Sequence, residues 1–131
     1  LTNDLGIAEY VRFLGIKSRS YIYKHLSEYD LLIQPSLYEG FGLTIAEAMA
    51  AKVPVLVSNI EGPMELINNG SYGDYFESGN VDDLAFKLIE GFSLRGSDFL
   101  QERVDRAYEY CNAHFNISVT ADAYLERYKT L

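Results

Sequence analysis

Residues 31–49 read LLIQPSLYEGFGLTIAEAM, and this segment carries the clearest information about the fold. It opens with an unalternating apolar run, residues 31–33, which is typical of a strand covered on both faces in a parallel sheet. The strand is predicted to stop at Pro35. A polar turn with two glycines then leads to a mostly apolar segment from Leu43 onwards, which predicts a short and largely buried helix. The order strand, turn, helix is the repeating unit of an α/β fold.

The two glycines of this turn, Gly40 and Gly42, indicate a ligand that lies close to the backbone. Glycine adopts backbone dihedrals that are closed to other residues and allows a close approach. The free N–H groups at the start of the following helix favour an anion such as a diphosphate. Glu47 lies about one turn into that helix, roughly 5.4 Å along its axis, where its carboxylate can accept hydrogen bonds from the hydroxyls of an attached ribose. Glu39, on the other flank, then faces the group beyond the phosphates.

Both glutamates also have a purely structural interpretation. A strand, a glycine turn and a helix with one capping glutamate occur in many α/β folds, and Glu39 can simply favour the positive end of the helix dipole. Either glutamate, considered alone, is explained equally well by a structural role and by ligand binding.

The longer string EGFGLTIAEAMA, residues 39–50, resembles the signature of the retaining nucleotide-sugar glycosyltransferases called family 4 or group 1, which have two Rossmann domains. That family places two glutamates eight residues apart in the pattern E-G-F-G-x-x-x-x-E-A-M-A. The resemblance implies that Glu47 binds the ribose of the donor and that Glu39, the catalytic candidate, contacts the transferred sugar. The other substrate-binding residues that it implies in this segment are Gly40, Phe41, Gly42, Leu43 and Thr44.

Another part of the same site is expected near the beginning of the sequence. Residues 11–14, VRFL, predict a short buried strand that ends at a glycine, and Ser20 is the predicted N-cap of a helix over about residues 21–29. The resembling family lines the nucleotide base with this strand and its turn, although a plain core strand explains the same side chains equally well. The base-pocket candidates are Phe13, Leu14, Gly15 and Ile16.

Further along the chain, strands continue to alternate with helices. Residues 53–57 and 74–77 are predicted strands, and an amphipathic core helix is predicted to run to about residue 92. The C-terminal helices are expected over about residues 97–131, with Asn116 as the cap of the last one. The predicted fold class is therefore α/β, a Rossmann-like parallel sheet flanked by helices.

Composition narrows the function classes. With 131 residues and 48% hydrophobic residues the chain can bury the core of one domain. Its net charge of −8 argues against binding nucleic acid, which needs clustered Lys and Arg. The single cysteine, Cys111, excludes an internal disulfide and fits a reducing cytoplasm. His25 and His114 have no companion ligands nearby in the sequence, so we expect neither a metal nor another cofactor.

The resemblance implies that residues 1–131 form a partial domain, truncated on its N-terminal side, from the C-terminal donor-binding half of a two-Rossmann-domain (GT-B) enzyme. The full-length enzyme would transfer a sugar, with retention, from a nucleoside-diphosphate sugar to an acceptor glycan or lipid-linked sugar bound by its N-terminal domain. This implies polysaccharide biosynthesis in the cytoplasm, including the inner face of the membrane. We expect the fragment alone to be inactive and prone to self-association through uncovered apolar surface.

Two other functions stay open from the sequence. The chain can belong to a sugar-nucleotide epimerase or a phosphorylase of the same architecture. It can also be a non-catalytic module that binds a nucleotide sugar.

Overall fold

A computed structural model describes residues 1–129 and places a three-stranded sheet between helices. The strands are β1 (Leu32–Gln34), β2 (Val55–Ser58) and β3 (Asp74–Phe76). The helices are α1 (Arg19–His25), α2 (Leu43–Ala50), α3 (Glu61–Leu66), α4 (Val81–Ser93), α5 (Asp98–Phe115) and α6 (Ile117–Lys129).

All three strands run parallel, in the spatial order β1-β2-β3. Gln34 pairs with Val57, and Ser58 pairs with Phe76, so the carboxyl ends of the strands lie at one edge of the sheet. All four residues of the central strand are buried. This confirms the predicted α/β class with a parallel sheet. It also brings the loops that follow β1 and β2 to the same edge.

The core forms where α2 packs between the sheet and α5. Ile45, Ala48 and Met49 of α2 are at most 1% exposed, and they belong to one cluster with buried residues of β2 and α5. Burying a side chain of the size of Ile or Met stabilises the folded chain by about 1.5–3 kcal/mol. The short helix predicted after the turn is thus confirmed, but it is buried on one face only, because Leu43 at its start is 66% exposed.

Lys52 closes the joint between α2 and β2 in a left-handed conformation, with φ at 58°. A residue with a side chain pays about 1–2 kcal/mol for that conformation. The Lys52 ammonium donates to Asp105 Oδ1 at 2.7 Å and lies 4.7 Å from the centre of the Tyr108 ring, both on α5. The hydrogen bond to Asp105 raises the pKa of Lys52, so the joint is tied to α5 by a charged group.

The predicted strand over residues 11–14 is wrong. This segment pairs with no strand within residues 1–129, and the side chain of Phe13 is 83% exposed. A cavity of about 370 Å³, lined by Leu14, α1 and β1, lies where a neighbouring strand was expected. The expected cover on both faces of β1 is also incomplete, since Ile33 is 39% exposed.

Two helix predictions also need correction. Helix α1 begins earlier than predicted, because Ser18 rather than Ser20 is the N-cap and accepts a hydrogen bond from the Tyr21 N–H at 3.2 Å. Helix α4 is not a core helix: it has no buried residue, and Ile89 and Phe92 are 70% and 58% exposed. Its wide apolar face is only partly covered because α4 packs mainly on the edge strand β3.

The C-terminal helices form as predicted within the described residues. Ser97 caps α5 by accepting from the Leu100 N–H at 3.2 Å, and Asn116 Oδ1 accepts from the Ser118 N–H at 2.9 Å at the start of α6. Residues 130 and 131, at the end of the predicted last helix, lie outside the described part of the chain.

Candidate functional site

The turn between β1 and α2 lies at the carboxyl edge of the sheet and ends in Gly42. Gly42 is the N-cap of α2 with φ at 91°, a left-handed conformation that glycine adopts without strain. A Cβ at this position would lie 2.7 Å from Ile45 Cδ1, the movable end of a side chain, so it is the left-handed backbone that favours glycine here. No side chain within residues 1–129 caps α2, and the positive end of a helix dipole favours negative charge.

Glu39 is half-buried in this turn and makes two hydrogen bonds. Its Oε1 accepts from the Phe41 N–H at 3.4 Å, and its Oε2 accepts from Gln34 Nε2 at 3.4 Å. Both distances are longer than a good N–H···O bond. The carboxylate contacts an amide of the turn and not an amide of α2, so in this structure it is not a cap of the helix.

A polar network at the end of β1 supports the turn. Gln34 Oε1 accepts from Thr44 Oγ1 at 3.0 Å, and Gln34 Nε2 donates to Ser36 Oγ at 3.1 Å. The Ser58 hydroxyl at the end of β2 donates to the Ser36 carbonyl, and Ser58 is 1% exposed. Neither Gln34 nor Ser58 is among the predicted site residues. The available signal was a polar residue at the end of each apolar strand.

The loop after β2 also touches the turn, through Gly62 in the first turn of α3. A Cβ on Gly62 would lie 2.7 Å from the Gly40 carbonyl oxygen and 2.8 Å from that of Glu39. The backbones of the two loops are therefore in close contact, and glycine at position 62 is required for it. This contact was not predicted.

Phe41 links the turn to the C-terminal end of α5. Its ring packs edge-on against Phe115, with centroids 5.4 Å apart and an interplanar angle of 82°. Phe115 in turn packs edge-on against Tyr110, which stacks on Tyr72 with centroids 4.7 Å apart. The predicted substrate-binding turn thus has an aromatic support that spans three parts of the chain.

Glu47 is half-buried and lies on the side of α2 that faces α1. It lines a cleft of about 380 Å³ together with Arg19, Tyr23 and Leu43. Glu39 does not line this cleft. Glu39 lies in the turn before α2, while Glu47 lies within the helix; their division of labour at a ligand stays a prediction.

The structure separates the four base-pocket candidates into two pairs. Leu14 and Gly15 line the cavity of about 370 Å³ beside α1 and β1. Phe13 and Ile16 are 83% and 102% exposed and do not line it. Of the four candidates, Leu14 and Gly15 are thus the two that line this cavity.

Three further properties concern the chemistry available to residues 1–129. These residues contain no group of three His, Cys, Asp or Glu side chains that could hold a metal ion. None of their helices is both long enough and apolar enough to cross a membrane. Cys111 is buried, its Sγ lies 3.6 Å from the Ala46 carbonyl oxygen, and burial raises the pKa of its thiol to about 11.

Comparison with known proteins places the chain in a family. The family model described as "Glycosyl transferases group 1" matches residues 1–109. The D-inositol 3-phosphate glycosyltransferase of Mycolicibacterium gilvum is 34% identical over 128 residues, which are 98% of this chain and 28% of the relative. The chain spans less than a third of the length of such curated relatives, with shares of 16% and 28% in two of them.

Solved structures show the same fold. A glycosyltransferase from Rickettsia africae superposes with a TM-score of 0.89 at 30% identity, over 98% of this chain and 34% of that one. Anabaena HepE in complex with UDP-glucose superposes with a TM-score of 0.84 at 25% identity, over 99% of this chain and 35% of that one.

Proposed function

This chain belongs to the group 1 glycosyltransferases, and we propose that the turn before α2 binds a nucleoside-diphosphate sugar for transfer to an acceptor. The observation that carries the proposal is the start of α2 without a side-chain cap, with Glu39 in the turn before it and Glu47 lining a cleft about one turn into it. The complex of HepE with UDP-glucose supports this class of ligand.

The diphosphate lies at the start of α2 in this proposal. The backbone groups of Phe41, Gly42 and Leu43 face the phosphate and the sugar, and the Thr44 hydroxyl lies in the first turn of the helix. Amide N–H groups at a helix start stabilise the negative charge that grows on a leaving diphosphate. A metal ion commonly serves this purpose, and we propose that none is needed here.

The two glutamates divide the recognition of the donor. Glu47, in the cleft with Arg19 and Tyr23, binds the ribose hydroxyls. Glu39, held at the turn by Gln34 and the Phe41 amide, contacts the transferred sugar, where positive charge develops at the anomeric carbon. A carboxylate at that place stabilises the transition state more than the ground state, which makes Glu39 the catalytic candidate.

The finer assignments follow the resemblance of residues 39–50. We assign retention of the anomeric configuration, membership of family 4 and the C-terminal donor-binding position in a GT-B enzyme. Leu14 and Gly15 keep their proposed role at the nucleotide base because they line a cavity; for Phe13 and Ile16 the role stays a prediction. We further propose that another domain holds the acceptor, which is a glycan or a lipid-linked sugar. The enzyme then acts in the cytoplasm, in polysaccharide biosynthesis.

The test uses the full-length protein. Titration calorimetry with UDP, GDP and ADP is expected to find one nucleotide that binds, and Glu47→Gln is expected to weaken it at least tenfold. Glu102→Gln, at an exposed glutamate of α5, is the matched control and is expected to bind as the wild type does. Absence of binding by all three nucleotides would overturn the proposal.

Turnover distinguishes transfer from the other functions. With a bound nucleotide sugar and an acceptor extract, NMR is expected to show a new glycoside with the anomeric configuration of the donor. Formation of an epimerised nucleotide sugar without acceptor would identify an epimerase instead. Binding without any turnover would identify a nucleotide-sugar-binding module.

A further inference from the structure

In the polar network at the end of β1, the side chain of Gln34 contacts both the turn and the start of α2. Its Oε1 accepts from Thr44 Oγ1 at 3.0 Å, while its Nε2 donates to Glu39 Oε2 at 3.4 Å. A carboxamide has an acceptor and a donor side by side, which suits a hydroxyl on one side and a carboxylate on the other.

The orientation of this amide follows from its partners. With the amide reversed, Gln34 Oε1 would face the carboxylate oxygen of Glu39, and two acceptors would oppose each other. Glu39 therefore selects the orientation in which Nε2 points to its carboxylate. In that orientation the Thr44 hydroxyl donates its proton to Gln34 Oε1.

Gln34 belongs to the sheet, whereas the Glu39 carboxylate is held in a turn. Gln34 is the last residue of β1, in register with Val57 of the buried central strand. Glu39 lies in a turn, and both of its hydrogen bonds are 3.4 Å long. The sheet thus fixes Gln34, and Gln34 in turn limits where the carboxylate of Glu39 can lie.

We infer that Gln34 is a positioning residue of the donor site, which aligns the Glu39 carboxylate with the start of α2 through its two amide atoms. This inference rests on the proposed function, because it gives Glu39 its task. Hydrogen bonds in a free site are commonly long and shorten when the substrate binds. A carboxylate that loses its alignment by about 1 Å can lower turnover by about 10²-fold.

The first test is Gln34→Met, which keeps the length of the side chain and removes both amide atoms. In the full-length protein we expect kcat to fall by about 10- to 100-fold, while the affinity for the bare nucleoside diphosphate changes less than twofold. The nucleotide lacks the sugar that Glu39 contacts, so its affinity reports the integrity of the rest of the site. Equal losses in turnover and nucleotide affinity would overturn the inference and indicate general damage.

Gln34→Glu is the second variant, and it keeps the shape of the side chain. It sets a carboxylate against Glu39 Oε2, so one of the two groups is expected to take up a proton more readily. The kcat profile is then expected to show a new acidic limb, with activity rising as the pH falls. If the pH dependence of kcat runs parallel to that of the wild type, residue 34 does not contact a carboxylate that takes part in turnover.

Gln101→Met is the matched control. Gln101 Nε2 donates to Asp105 Oδ2 at 3.1 Å on the exposed face of α5, so the substitution removes a glutamine–carboxylate hydrogen bond of the same kind outside the site. We expect unchanged kcat and nucleotide affinity. Suppose that the wild type transfers the sugar, that Glu39→Gln is impaired and that Gln34→Met is not. This inference then fails while the proposed function stands. A normal Glu39→Gln would overturn the proposed role of Glu39 itself.

Discussion

Phe41 of the glycine turn rests edge-on against Phe115 at the end of α5, with ring centroids 5.4 Å apart. Phe115 also packs edge-on against Tyr110, 5.6 Å away. Each such aromatic pair adds about 0.5–1.5 kcal/mol beyond the area that it buries. The conformation of the turn therefore depends in part on a helix that is far away in the sequence.

Replacing Phe115 should loosen the turn. For Phe115→Leu we expect the nucleoside diphosphate to bind about 2- to 10-fold more weakly, because the Phe41 backbone loses its support, a change of about 0.4–1.4 kcal/mol. Titration calorimetry on the full-length protein measures this. The control is Phe99→Leu, at a phenylalanine of α5 that is 57% exposed, and equal effects of the two variants would show that the contact with Phe41 has no role.

Gly62→Ala tests the contact between the loops after β1 and β2. Its Cβ would lie 2.7 Å from the Gly40 carbonyl oxygen, so the backbone has to move, and we expect a loss of stability of about 1–3 kcal/mol together with weaker donor binding. Gly91→Ala in α4, where a Cβ meets nothing within 4 Å, is the opposite case and should gain about 0.5–1 kcal/mol. Urea unfolding compares the two. If Gly62→Ala and Gly91→Ala have similar free energies of unfolding, the contact between the two loops accommodates a Cβ at little cost in stability.

The two glutamates should affect different kinetic parameters. Glu39→Gln is expected to lower kcat by about 10- to 1000-fold, or roughly 1.4–4 kcal/mol, with little change in the affinity for the sugar-free nucleotide. Glu47→Gln is expected to raise the Michaelis constant for the donor, since the ribose is bound in both ground and transition states. If both residues were only structural, binding and turnover would decline together with thermal stability.

Cys111 makes stability depend on pH in the alkaline range. Burial raises the pKa of its thiol from about 9 to about 11, so the folded state holds the proton more tightly than the unfolded state does. This contribution is complete below pH 9 and is lost as the pH rises towards 11. The free energy of unfolding of the wild type is expected to fall by roughly 2–3 kcal/mol more than that of Cys111→Ala over this interval. Parallel curves for the two proteins would contradict the prediction.

The sequence predicted best where structure depends on neighbours along the chain. Helix α2 begins at Leu43 as predicted because Gly42, the apolar spacing and the preceding strand are all local signals. The strand expected over residues 11–14 does not form, because an apolar tetrapeptide does not encode whether a partner strand is within reach. The prediction that α4 is a core helix was wrong for a related reason. Periodicity shows that one face of a helix is apolar, but not how much of that face another element covers.

The same distinction applies to the candidate site. The motif locates Glu39 and Glu47 because its spacing is contained in twelve residues. Gln34 and Gly62 were missed because their roles arise from sheet register and from the contact between two loops. Both depend on distances between segments that a single sequence does not specify. No pattern within residues 31–49 distinguishes Gln34 from an ordinary polar residue at the end of a strand.

The packing of α5 on α2 has a consequence for biosynthesis. Cys111 Sγ contacts the Ala46 carbonyl although the two residues are 65 positions apart in the chain. At a translation rate of about 5–20 residues per second, α2 leaves the ribosome roughly 3–13 s before the part of α5 that packs on it. During that interval Ile45 and Met49 lack the part of their native surroundings that α5 supplies. The nascent chain therefore holds the complete glutamate motif well before it can hold the donor site in its final form.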